Sequence, residues 1–110
     1  MMGVMTIEAV ELYWRPGCGY CTSLRRGLRK AGLVTRDVDI WSAGPEASAR
    51  VRAAANGNET VPTVFIGEHA LVNPNAREVL VAVEALAPHL SPAPGQGSAG
   101  KGLLGKLRRS

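Results

Sequence analysis

Glu8-Ala9-Val10-Glu11-Leu12-Tyr13-Trp14-Arg15-Pro16-Gly17-Cys18-Gly19-Tyr20-Cys21 is an apolar and aromatic run that stops at a Pro-Gly turn and passes straight into a cysteine pair. Residues 8–14 read as a strand, and Arg15-Pro16-Gly17 as the turn that ends it. From Cys18 the period changes. Cys21, Leu24, Leu28 and Ala31 recur at spacings of three and four, which puts them on one face of a helix. Arg25, Arg26, Arg29 and Lys30 fall mostly off that face and read as solvated, with several at the C-terminal end, where cations suit the helix dipole. Gly32 supplies a C-terminal stop. Strand, turn and helix together place Cys18 at a helix N-terminus and Cys21 one turn inside.

The rest of the chain extends this unit. Thr35 to Ile40 alternates charged and apolar residues and reads as a second strand, followed by a loop over 42–45. Glu46 to Asn56 is Ala-rich and predicts a helix that ends at Gly57. Residues 62–66 and 70–72 read as a hairpin turning at Gly67-Glu68. Asn73-Pro74-Asn75 opens a last helix, with Ala76, Val79, Leu80, Val83, Leu86 and Ala87 as its apolar stripe and Pro88 as its end. The order βαβαββα predicts an α/β domain. A right-handed parallel unit is extended by an antiparallel hairpin into a four-stranded mixed sheet flanked by three helices on both faces. The most apolar runs, 10–14 and 61–66, belong in its centre. Trp14 and Trp41 read as packing residues, and His69 and His89 as solvated ones.

With 110 residues the chain is long enough for one hydrophobic core and too short for two. The expected division is an N-terminal extension over 1–7, a domain over 8–90, and a Gly/Pro-rich linker with a basic tail over 91–110 that reads as disordered. The net charge of +4 comes from Lys101, Lys106, Arg108 and Arg109, and the remaining nine bases balance nine acids. A nucleic-acid-binding stripe on the fold is therefore not expected. No apolar run reaches the ~20 residues of a membrane span, and residues 1–7 lack the basic start and apolar core of a signal peptide. A cytoplasmic monomer is the expectation.

Two cysteines two residues apart cannot build a disulfide framework, and with only His69 and His89 beside them they do not complete a closed zinc site. A lone Cys-x-x-Cys reads first as redox chemistry. At a helix N-terminus, unpaired N–H groups and the positive dipole end favour a thiolate on Cys18, and Arg15 can add positive potential. Nucleophilicity falls with basicity, at a Brønsted coefficient of ~0.45, so a stabilised thiolate gains only modestly as attacker. It gains more as a leaving group, which favours a mixed-disulfide intermediate on Cys18. Cys21, on the core-facing stripe, is expected to be shielded and to act as a resolving or protective thiol.

Trp14-Arg15-Pro16-Gly17-Cys18-Gly19-Tyr20-Cys21, followed about forty residues later by Thr60-Val61-Pro62-Thr63, resembles the glutaredoxins, and among them the actinobacterial mycoredoxins with their Cys-Gly-Tyr-Cys motif. The resemblance covers about residues 9–87. It implies a thioredoxin/glutaredoxin fold in which Pro62 is cis and lies against the Cys18 turn. It also implies that the Val61 backbone pairs with a bound thiol like an added strand, with Arg15 near the thiol's carboxylate or the nucleophile and Thr60 in the same turn. Tyr20, exposed beside Cys18, is a candidate to line the site. Glutathione-binding members carry a Gly-Gly pair followed by Asp, where this chain has Asn73-Pro74-Asn75-Ala76-Arg77. The Asn73-Pro74 pair is similar to mycoredoxins and implies mycothiol, rather than glutathione, as the low-molecular-weight thiol co-substrate. No tightly bound cofactor or metal is implied, and the protein partners are S-thiolated or disulfide-containing clients. Two alternatives stay open: an iron–sulfur carrier, which Gly19 in the motif would permit, and a dithiol reductase served by a flavoprotein reductase.

Overall fold

The computed structural model describes residues 7–92. Eight elements follow in order: β1 (Val10–Trp14), α1 (Gly19–Lys30), β2 (Thr35–Asp39), α2 (Pro45–Ala54), β3 (Thr63–Ile66), β4 (His69–Val72), α3 (Ala76–Leu86) and a 3-10 turn (Pro88–Leu90). The strands form one sheet in the order β2-β1-β3-β4. β1 runs parallel to β2 and antiparallel to β3, and β3 pairs antiparallel with β4. The two apolar runs are thus the central strands, as their composition requires, and the polar β2 and the largely exposed β4 form the edges. This is the expected thioredoxin/glutaredoxin arrangement of four strands and three helices.

Strand alternation divides the core. Val10 and Leu12 of β1 and Val64 and Ile66 of β3 face one way and pack with Leu24 and Leu28 of α1 and Val79 and Val83 of α3. Tyr13 and Phe65 face the other way and pack with Ile40 and with Ala47 and Val51 of α2. The register sets Leu12 opposite Val64 and Tyr13 opposite Thr63. The two faces differ in depth, with two helices on the first and one on the second.

Element boundaries follow local chemistry. β3 starts at Thr63 because Pro62 has no N–H to give to a ladder. α1 ends where Gly32 takes φ +88°, and the Leu33 N–H returns to the Leu28 carbonyl at 3.0 Å. α2 begins at Pro45, one residue earlier than expected, because proline suits the first helical position. It ends at Ala54, before Asn56, which lies at φ 56°.

Two side-chain expectations need correction. Trp41 is no packing residue: it is 63% exposed. Its backbone N–H donates to Asp39 Oδ1 at 2.9 Å in the turn after β2, which leaves the ring outside. Arg25 is not merely solvated, since its guanidinium lies 4.4 Å from the Trp14 ring centroid and pairs with Asp37 at 3.0 Å. Trp14 does pack against the core. His69 and His89 are exposed, and His89 Nε2 lies 2.6 Å from the Ile7 carbonyl oxygen. No helix among the described residues is long and apolar enough to cross a membrane. Of the expected extension over 1–7 and the expected linker and tail over 91–110, residues 1–6 and 93–110 lie outside the described residues.

Candidate functional site

β1 leads into the site. After Trp14 the chain turns through Arg15, Pro16 and Gly17, with Gly17 at φ +80°, and enters α1. Cys18 is the N-cap of that helix, with extended backbone (φ −92°, ψ 110°). Its Sγ takes the part usually played by a Ser or Asp oxygen and accepts from the Cys21 N–H at 3.2 Å. The sulfur therefore occupies the one position where a helix offers unpaired N–H donors and the positive end of its dipole. Cys18 is half-buried and Cys21 is buried, and both are free thiols.

The second wall is the turn before β3. The Val61–Pro62 peptide is cis, as the resemblance implied, and Pro62 is buried. The Cys18 Sγ lies 3.9 Å from the Val61 carbonyl oxygen, within reach of a weak S–H donation. Thr63, the buried polar residue behind this turn, donates its hydroxyl to the Thr60 carbonyl at 2.7 Å. Thr60 thus holds the turn through its backbone. The Pro62 carbonyl accepts from the Asn73 N–H at 2.8 Å, which links the cis turn to the segment entering α3.

The two cysteines are chemically unequal. Burial pushes the Cys21 thiol up to about 12, and its hydrogen bond with Cys18 adds to the rise, while the backbone of Arg15 works the other way. Cys21 is a neutral thiol near pH 7. Arg15 itself is exposed beyond β1, and its charge is the smallest of the influences on Cys21.

A groove of about 320 Å³ runs between α1 and the N-terminus of α3 and reaches Tyr20, two residues after Cys18. Tyr20, Ser23 and Leu24 form one side, and Asn73 to Ala76 with Glu78 form the other. Tyr20 is 75% exposed over it, Pro74 is buried beneath it, and Asn73 adopts φ 53° at its corner. Of the residues singled out from sequence, Cys18 meets Cys21 and Val61 directly, and Pro62 follows Val61 across the cis bond. Asn73 joins them by a backbone hydrogen bond, and Tyr20 and Pro74 share the groove. Ser23, Asn75 and Glu78 were not foreseen as site residues, because the groove exists only once α1 and α3 lie side by side. The S/T/N-x-x-E signature at Asn75 and Glu78 was the one available signal, and it announces only a helix start.

Comparison with known proteins matches this geometry. The glutaredoxin family model covers residues 10–71. Mycoredoxin 1 of Corynebacterium glutamicum is 41% identical over 80 residues, spanning 71% of this chain and 96% of that protein. A glutaredoxin of Neisseria meningitidis is 39% identical over 62 residues, 56% of this chain and 72% of that one. Among solved structures, the Escherichia coli NrdH-redoxin shares the fold with a TM-score of 0.53 at 24% identity, covering 77% of this chain and 97% of its own. The Brucella melitensis glutaredoxin gives 0.51 at 29% identity, covering 79% and 89%. The chain therefore belongs to the glutaredoxin family, is mycoredoxin-like, and is a thiol–disulfide oxidoreductase.

Proposed function

We propose that the protein reduces mixed disulfides between proteins and mycothiol, with Cys18 as nucleophile. The observation that carries this reading is the Cys18 sulfur, capped by the Cys21 N–H and facing the Val61 carbonyl at 3.9 Å. The Cys18 thiolate attacks the mycothiol sulfur of a protein–mycothiol disulfide. The old S–S bond breaks, the protein sulfur leaves and takes up a proton, and mycothiol remains joined to Cys18. A second mycothiol thiolate attacks the bound mycothiol sulfur, releases mycothiol disulfide and restores the Cys18 thiolate. Cys21 is not required on this route, and a buried neutral thiol suits a protective role or a side branch through a Cys18–Cys21 disulfide.

The remaining residues bind and orient. The Val61 backbone beside Pro62 pairs with the thiol's cysteinyl backbone as an added strand would. Thr60 holds that turn, Arg15 supplies a cation near the reacting sulfur, and Tyr20, Asn73 and Pro74 line the path of the rest of the thiol. Asn73-Pro74, together with 41% identity to a protein named Mycoredoxin 1, supports mycothiol over glutathione. The same reading makes the protein a cytoplasmic monomer acting on S-thiolated or disulfide-containing clients.

The test is a turnover assay on a mixed-disulfide substrate with mycothiol, glutathione or a thioredoxin-type reductase as the sole electron source. Mycothiol is expected to sustain turnover best. Cys18→Ser should abolish it and Cys21→Ser should keep much of it. Full activity in Cys18→Ser refutes the mechanism. Complete loss in Cys21→Ser, with the wild type turned over by the reductase, establishes the dithiol route instead.

A further inference from the structure

We propose that Glu78 is a specificity-determining residue that turns the groove between α1 and α3 against anionic thiols and toward uncharged, hydroxyl-rich ones. The inference deepens the reading that Cys18 exchanges disulfides with a low-molecular-weight thiol, and it rests on that reading.

A helix N-terminus facing a cleft is ordinarily a ready place for a carboxylate. At α3 that place is already filled from within. The Asn75 side chain accepts from the Glu78 N–H at 2.8 Å, and Glu78 Oε1 accepts from the Asn75 N–H at 2.9 Å. This reciprocal cap takes up two of the donors an incoming carboxylate would seek, and it sets a negative charge at the groove wall. Among the described residues, no Lys or Arg lines the groove. Its polar groups are the hydroxyls of Tyr20 and Ser23, the amides of Asn73 and Asn75, and the Glu78 carboxylate.

Such a set suits a neutral polyol. With Oε1 and the Asn75 oxygen held in the cap, Glu78 Oε2 is left to accept a ligand hydroxyl and the Asn75 amide NH₂ to donate to one. A ligand carboxylate in the same place meets repulsion from Glu78 and a helix end two of whose donors are already engaged. The volume, about 320 Å³, falls at the lower end of small-molecule sites, enough for part of a glycosylated thiol in an open cleft.

Glu78→Gln separates charge from structure, because glutamine keeps an oxygen to accept from the Asn75 N–H. The full chain and this variant are compared on one peptide cysteine carrying either glutathione, which is anionic, or a cysteinyl-glucosamine thiol acylated to remove its charge. In the wild type the uncharged conjugate is expected to be preferred. In Glu78→Gln the ratio of kcat/KM values should move toward glutathione by roughly three- to fivefold, the size of one charge contact near water, and the change should reside in KM. Added salt should move the wild-type ratio the same way and leave the variant's almost unmoved. A wild type that prefers the uncharged conjugate while the variant keeps the same ratio at every salt concentration overturns the role of Glu78 alone. A wild type that prefers glutathione, or turns over neither conjugate, overturns the underlying reading and this inference with it.

Discussion

Cys18 and Cys21 are separated by two residues and one turn of helix, yet the fold gives them opposite chemistry. The first caps the helix from outside and keeps its sulfur in contact with solvent and with Val61. The second is buried on the inner face of α1, where taking its charge out of water is costly, and its thiol rises from 9.0 to about 12. That rise has a consequence for stability. The folded protein holds the Cys21 proton more tightly than the unfolded chain does. The resulting stabilisation is complete below pH 9, declines as pH rises through the interval from 9 to 12, and is gone above it. Stability of the reduced wild type should therefore fall more steeply over pH 9–11 than that of Cys21→Ala. Urea denaturation across that range measures the difference, and parallel curves would refute the assignment. The partition of roles was readable in the sequence from the helical spacing of Cys21, Leu24 and Leu28. The contact of Cys18 with Val61 was not, because it spans 43 residues and depends on the cis turn; only the likeness of Thr60-Val61-Pro62-Thr63 to a known motif suggested it.

At the scale of elements, α3 shows how one local device serves two ends. Asn75 and Glu78 start the helix, and the same side chains wall the groove. Loss of the cap in Asn75→Ala should cost about 1 kcal/mol, lowering Tm by roughly 4–8 °C for a domain of this size. Asn75→Ser, which restores an N-cap oxygen, should recover most of it, and thermal melts followed by circular dichroism would measure both. Element positions were legible from periodicity because each helix carries one apolar stripe and each central strand an apolar run. Trp41 misled because its bulk suggested burial, while the Asp39 turn after β2 holds its ring outside the sheet's footprint. The groove itself was not legible, since Ser23 and Glu78 lie on helices far apart in sequence and meet only through the packing of α1 on α3.

At the scale of the whole molecule, the thinner face of the sheet is held by an arginine as much as by apolar packing. Arg50 of α2 lies 4.0 Å from the Phe65 ring centroid, pairs with Glu11 at 2.6 Å, and donates to the Tyr13 hydroxyl at 3.0 Å. Its stem and planar head cover the rings that a single helix leaves partly open. Arg50→Ala should lose about 1–2 kcal/mol through this packing and the half-buried Glu11 carboxylate. Disulfide exchange at Cys18, on the other side of the fold's chemistry, should keep its rate constants. A melt unchanged from wild type would refute the role. Sequence gave no hint of this contact, because an arginine on a helix ordinarily reads as solvated. His89, after α3, clasps the Ile7 carbonyl that precedes β1, so the two ends of the described residues lie at neighbouring points. A head-to-tail splice there needs only a short bridge, which makes a circular permutant practical, and a fluorescent reporter hung from either point would leave the reactive thiol unobstructed.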